Sequence, residues 1–182
     1  LLIDAGCELD YYASDITRTF PVNGRFTPEQ RAVYEIVFEA QRAAIEKTVV
    51  GNHWNDPHDA AVKVLTKGLK KLGLLEGSLP KLIKDGAYQQ FYMHRTGHWI
   101  GMDVHDVGDY KVGDEWRMLE PGMVTTVEPG IYINNSRKVP KQFRNISVRI
   151  EDDAAVTTKG PDVLSKGLVS DPDDIEALMH SA

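Results

Sequence analysis

The stretch HRTGHWIGMDVHDVG, residues 94–108, holds three of the chain's six histidines: His94, His98 and His105. An imidazole near neutral pH can bind a metal, carry a proton or donate a hydrogen bond. Gly97 and Gly101 interrupt any helical pattern here and predict tight backbone bends between the histidines. Four acids also stand out: Asp4 after "LLI", Asp15 in "ASDITRTF", Glu128 in "TTVEPG" and Glu151 in "SVRIED". Strand interiors disfavour Asp and Glu, and a buried carboxylate needs a charge partner or a metal. Arg18 and Arg149 are the local candidates for pairing, too few for four acids.

Oxygen-rich donors with one imidazole favour Mn2+, with Co2+ or Zn2+ as options. Four carboxylates outweigh one divalent ion. Two ions ~3.5–4 Å apart would balance them and hold a bridging hydroxide. Side-chain alternation turns Val148 and Ile150 to one face of their strand and Arg149 and Glu151 to the other, into one cleft. The plainer alternative stays open, because acids at strand ends commonly form turns or ion pairs. Spacing alone does not bring these four together. His53, His58 and His180 read as surface or capping residues.

The elements that must position these groups follow an α+β order. Residues 1–7 read as a buried strand and 11–20 as another, with "GCELDYY" as a hairpin connection. Residues 27–51 give a strong helix signal: Thr27 as N-cap, Pro28 at the first position, Gln30 completing a capping box, and Gly51 as the stop. Val33, Ile36, Val37, Ala40, Ala44 and Ile45 form its stripe. A second helix starts at Asn55 or Asp56 and buries Ala61, Leu65, Leu69 and Leu72. A short helix covers 78–85. Residues 122–133 and 144–157 are strand-like, and the tail holds a short capped helix. Helices packed on a mainly antiparallel sheet are expected.

The 182 residues show no repeat and suggest one domain, 1–182. A hydrophobic share of 42% allows an ordinary core, and a net charge of −6 speaks against a nucleic-acid footprint. No apolar run approaches the ~20 residues of a membrane helix. A single cysteine excludes an internal disulfide framework and points to a reducing, cytoplasmic compartment. The opening "LLIDAGCE" reads as the inside of a strand, which suggests a fragment of a longer polypeptide.

Four motifs in order carry a family resemblance: "LLIDAG" with "SDITRTF", "HRTGHWIGMDVHDVG", "LEPGMVTTVEPGIYI" and "VRIEDD". Together they resemble the Xaa-Pro peptidases, the aminopeptidase P and prolidase group, whose fold is the pita-bread metallopeptidase fold. The resemblance spans residues 1 to about 158. It implies metal-dependent hydrolysis of an N-terminal Xaa-Pro bond through a hydroxide bridging two divalent metals, most readily Mn2+. It implies metal ligands Asp4, Asp15, His98, Glu128 and Glu151, with Asp15 and Glu151 shared between the ions. It gives Glu128 the proton-shuttle role and His105 support of the tetrahedral intermediate, and it lines the proline pocket with His94 and Arg149 and the cleft with Tyr132. The expected partner is a peptide with proline in second position, with no nucleic acid and no membrane, and the full-length protein is expected to be a homo-oligomer. The family's catalytic domain extends further toward the N-terminus, so the fold is expected to lack its N-terminal part. "SDITRTFPVNGRFTPEQRAVYEIV" looks more like aminopeptidase P than prolidase. The alternatives are an Xaa-Pro dipeptidase, or a pita-bread module that binds peptides or proteins without hydrolysing them.

Overall fold

The computed structural model describes residues 1–181. The chain opens with four short strands, β1 (Leu2–Ala5), β2 (Glu8–Leu9), β3 (Tyr12–Ala13) and β4 (Ile16–Thr19). The predicted hairpin is β2–β3, closed by Asp10 and Tyr11, both at positive φ, as a two-residue turn of the primed kind requires. β1 pairs antiparallel with β4. The buried first strand is not borne out: Leu1 and Ile3 are exposed. β1 pairs with β4 alone, and nothing among the described residues covers its other edge.

Helices α1 (Pro28–Ile45), α2 (Asp56–Lys71) and α3 (Leu79–Lys84) follow. The capping box is present. The Gln30 N–H donates to Thr27 Oγ1 at 3.2 Å, and the Thr27 N–H donates to Gln30 Oε1 at 2.9 Å. α1 ends at Ile45, short of Gly51. Thr48 begins a β-branched run, and its hydroxyl donates to the Ala44 carbonyl, which also accepts the Lys47 N–H at 2.9 Å. Asn55 does not cap α2 through its side chain; it accepts a hydrogen bond from Arg95 instead.

The second half is mostly strand: β5 (Lys111–Val112), β6 (Glu115–Trp116), β7 (Val124–Val127), β8 (Gly130–Tyr132), β9 (Ser147–Arg149), β10 (Asp152–Thr157) and β11 (Gly160–Val163), then α4 (Pro172–Ser181). β7 and β11 flank β10, and β8 pairs with β9, all antiparallel. Val33, Val37, Ala40 and Ala44 of α1 and Ala61, Leu65 and Leu69 of α2 share one core with Val127, Ile131, Val148 and Ala154 of the strands and with Ile150 between β9 and β10. The helices thus back the ribbon that carries the acids. Burying these side chains supplies the main stabilisation, at about 1.5–3 kcal/mol for each large one.

Candidate metal centre and its cleft

The two strand-like stretches 122–133 and 144–157 form one antiparallel ribbon broken at one level. Val127 pairs with Asp152, Gly130 pairs with Arg149, and between them Glu128 and Pro129 face Ile150 and Glu151. Pro129 has no N–H to give to a ladder. The ribbon bends at the two acids, and β4 docks beside the bend. The Glu151 N–H donates to the Thr17 carbonyl at 3.0 Å, and Thr17 Oγ1 donates to Glu151 Oε2 at 2.5 Å. Asp15 immediately precedes β4, and Asp4 pairs with Thr17 across β1. Three chain segments therefore bring four acids together.

The histidine stretch runs beside β7. The Thr126 N–H donates to the His98 carbonyl at 3.0 Å, and the Glu128 N–H donates to the Thr96 carbonyl at 2.8 Å. Gly97 and Gly101 are not at positive φ; Gly101 opens a bend that runs to His105, while Gly97 lies in none. A Cβ on Gly97 would sit 2.1 Å from the Thr126 carbonyl oxygen, and one on Gly101 would sit 2.0 Å from Asp106 Oδ2. Close approach of backbone requires glycine at Gly97, whereas at Gly101 the obstacle is the end of a side chain that can turn away.

One open cleft of about 550 Å3 is lined by Asp4, Asp15, His94, His98, His105, Glu128, Arg149 and Glu151. Its donors fall into groups whose ligand atoms lie within 4.8 Å of one another: Asp4, Asp15 and Glu151; His98, Glu128 and Glu151; Asp15, His98 and His105. His98 Nδ1 lies 3.0 Å from the Trp99 carbonyl and must donate to it. In the neutral ring Nε2 then turns a lone pair toward Asp15 Oδ2 at 3.3 Å and Glu128 Oε1 at 3.8 Å. Acceptors facing acceptors call for a cation between them, and a histidine oriented by a backbone carbonyl is the common form of a metal ligand.

Electrostatics agree. Burial pushes the Glu151 carboxyl up to about 8, with repulsion from Glu128 and Asp15 adding to the rise. Burial pushes Glu128 up to about 7, against the lowering pull of Arg149. Asp15 is raised by burial and by its contact with Asp4. These groups cannot all ionise without cations among them, so the donor set fits divalent ions.

The residues expected on the substrate side also meet. His94 Nδ1 donates to the Arg95 carbonyl at 2.8 Å, so Nε2 accepts from the Tyr132 hydroxyl at 2.7 Å. Tyr132 in turn accepts from Arg149 Nη1 at 3.2 Å. Arg149 also donates to Asp4 and, through Nε, to Thr17 Oγ1 at 3.0 Å. Arg149 and Glu151 do face one cleft, at 3.7 Å. The His98 and His105 rings lie 4.1 Å apart.

Several supporting residues escaped the sequence reading. Arg18 pairs with Asp152 at 2.6 Å, not with a cleft acid. Gln41 and Ser165 also donate to Asp152. Asp153 accepts the Asp15 N–H at 3.1 Å, and burial raises its carboxyl to about 6. The run "EDD" signalled both acids, but not that they lie behind Asp15. His58 is buried, not a surface residue. Its Nδ1 lies 2.9 Å from Thr96 Oγ1, which also meets the Tyr92 hydroxyl at 2.7 Å. Burial lowers its pKa to about 4.

Residues 1–158 match the model of metallopeptidase family M24. The chain belongs to that family. It has the family's pita-bread fold. It is similar to the Xaa-Pro aminopeptidase of Haemophilus influenzae, 52% identical over 99% of this chain and 42% of that protein. The Escherichia coli Xaa-Pro aminopeptidase is 48% identical over 100% of this chain and 41% of that protein. Among solved structures, aminopeptidase PepP of Pseudomonas aeruginosa superposes with a TM-score of 0.97 at 61% identity, over 99% of this chain and 41% of that one. The chain thus spans about 42% of the length of these relatives. Relatives of this similarity are named aminopeptidases, which does not favour the dipeptidase alternative. No described helix is long and apolar enough to cross a membrane.

Proposed function

We propose that the chain carries the catalytic site of an Xaa-Pro aminopeptidase, which hydrolyses the bond before a proline in second position and releases the N-terminal residue. The observation that carries this reading is the pair of donor groups that share Glu151, in a chain so similar to enzymes of that name. Asp4, Asp15, His98, Glu128 and Glu151 would hold two divalent ions, with Asp15 and Glu151 common to both. Mn2+ suits this donor set best, with Co2+ or Zn2+ as alternatives. When bound, such ions polarise the scissile carbonyl and lower the pKa of the attacking water.

The chain's own residues do the rest. Glu128 takes a proton from the water and delivers it to the leaving proline nitrogen. His105 donates a hydrogen bond to the carbonyl oxygen as negative charge develops there, an effect of ~10²–10³ in rate for one donor. His94, Tyr132 and Arg149, linked in one hydrogen-bonded row, hold the proline side. Proline has no N–H to satisfy, so a wall made for it needs shape more than acceptors.

The test is release of the N-terminal residue from Arg-Pro-Pro with Mn2+, by the parent chain and by Glu128→Gln. Release by the parent, lost on chelation and reduced at least ~10³-fold in the variant, supports the reading. Release that survives chelation, or release that Glu128→Gln keeps, overturns it.

A further inference from the structure

The cleft has a second kind of lining. Trp54, Arg95, Tyr110 and Trp116 face it beside the acids and histidines. The Trp54 and Tyr110 rings pack 4.7 Å apart. The Arg95 guanidinium lies 4.9 Å from the Trp116 ring centroid, and the Lys111 ammonium lies 4.6 Å from it. Arg95 donates to Asn55, a neutral partner. Among the described residues neither Arg95 nor Lys111 takes part in an ion pair. Glu115 precedes Trp116 on β6, and alternation sends it to the other face. Two cations therefore share one indole with their charge uncompensated, in a chain of net charge −6.

A peptide with a free N-terminus is a dipole. Its ammonium is repelled by Arg95 and Lys111, and its scissile carbonyl has to reach the donor groups that share Glu151. That orients the chain with its amine away from the two cations and its remainder on the aromatic wall. Indole faces tolerate many backbones and side chains, and the cations over Trp116 add a charge preference. Resting on the aminopeptidase reading above, we propose that Trp54, Trp116 and Arg95 of the cleft lining, with the charge of Lys111 behind them on the Trp116 ring, form the subsite for the segment that leaves with proline. This subsite selects a carboxylate on the residue that follows the proline.

The test compares kcat/KM for Ala-Pro-Glu-Ala-amide and Ala-Pro-Lys-Ala-amide with Mn2+ at low salt, in the parent and in the Arg95→Gln/Lys111→Gln double variant. Exposed charge pairs are each worth up to a few-fold, so the parent should favour Glu over Lys by about tenfold. The double variant should bring the ratio to within about twofold, and about 0.5 M salt should shrink it in the parent. Binding of the products Pro-Glu-Ala-amide and Pro-Lys-Ala-amide, followed by tryptophan fluorescence, reads the subsite without turnover. Equal rates and equal binding for the two series in the parent would overturn the proposal, as would a preference that the double variant keeps. Charge-selective product binding beside hydrolysis that survives chelation would uphold the subsite and defeat the aminopeptidase reading instead.

Discussion

Replacing Glu151 with Gln should stabilise the metal-free protein at alkaline pH while removing its response to metal. The Glu151 side chain is 2% exposed, and its carboxyl is raised from 4.5 to about 8 by burial first and by Glu128 and Asp15 next. Between those values the folded state holds a proton that the unfolded state has released. Stability is therefore full below about 4.5 and falls as pH rises toward 8. The whole displacement is worth at most about 5 kcal/mol at ~1.4 kcal/mol per tenfold. Part of it is repulsion from Glu128 and Asp15, which relieve it by taking up protons themselves, so the net gain expected at pH 8 is about 2 kcal/mol. Gln copies the shape of the protonated acid and still accepts the Thr17 hydroxyl. In a chain of this size the gain is about 6 °C in Tm.

Thermal melts of parent and Glu151→Gln in chelator, at pH 5 and pH 8, measure it. The variant should melt with the parent at pH 5 and above it at pH 8. With Mn2+ at a hundredfold excess over its Kd the parent should gain about 2.7 kcal/mol. The variant, having lost the donor common to two groups, should gain little, so the order of the two proteins inverts. A variant that melts below the parent at pH 8 in chelator, or that answers Mn2+ as the parent does, would refute the argument that Glu151 is a buried charge awaiting a cation.

Arg18→Met should cost ~3–5 kcal/mol in urea denaturation, because it strands Asp152 as a buried carboxylate without its cation; a cost under about 1 kcal/mol would contradict this. His58 works with the opposite sign to Glu151. Its pKa is lowered from 6.5 to about 4 by burial, so the stability it contributes above pH 6.5 is lost as pH falls toward 4, up to about 3 kcal/mol. In chelator, His58→Asn should remove that acid sensitivity, and a variant whose stability falls between pH 6.5 and 4 as steeply as the parent's would show that His58 is not buried neutral.

Local signals in the sequence were legible where the physics is local. The capping box at Thr27 and Gln30 is an exchange between neighbours, and it forms as expected. Burial is a property of distant partners, and there the reading failed twice: Ile3 is exposed despite its strand of aliphatics, and His58 is buried despite its polar helix start. Gly97 was misread for a related reason. A glycine demanded by a left-handed φ and one demanded by a carbonyl 2.1 Å from its missing Cβ look alike in sequence. The aromatic wall was invisible as a wall because Trp54 and Trp116 belong to segments far apart in the chain.

The acids show how far residue type can reach and where it stops. Asp4, Asp15, Glu128 and Glu151 were conspicuous because each sits in a context that disfavours it, and that contradiction marked a site without locating it. What joins them is pairing at long range. Thr17 meets Glu151 across 134 residues, and the break in the ribbon sets Glu128 at the level of Glu151. The same pairing fixes chemistry that the acids alone do not determine. Thr17 donates to Glu151 and accepts from Arg149, so one hydroxyl of β4 ties the donor shared by two groups to the row that leads through Tyr132 to His94. The proposed metal ligands and the residues proposed to face substrate are therefore held by one framework. A shift of β4 by a single residue would turn Thr17 away from Glu151 and uncouple the two.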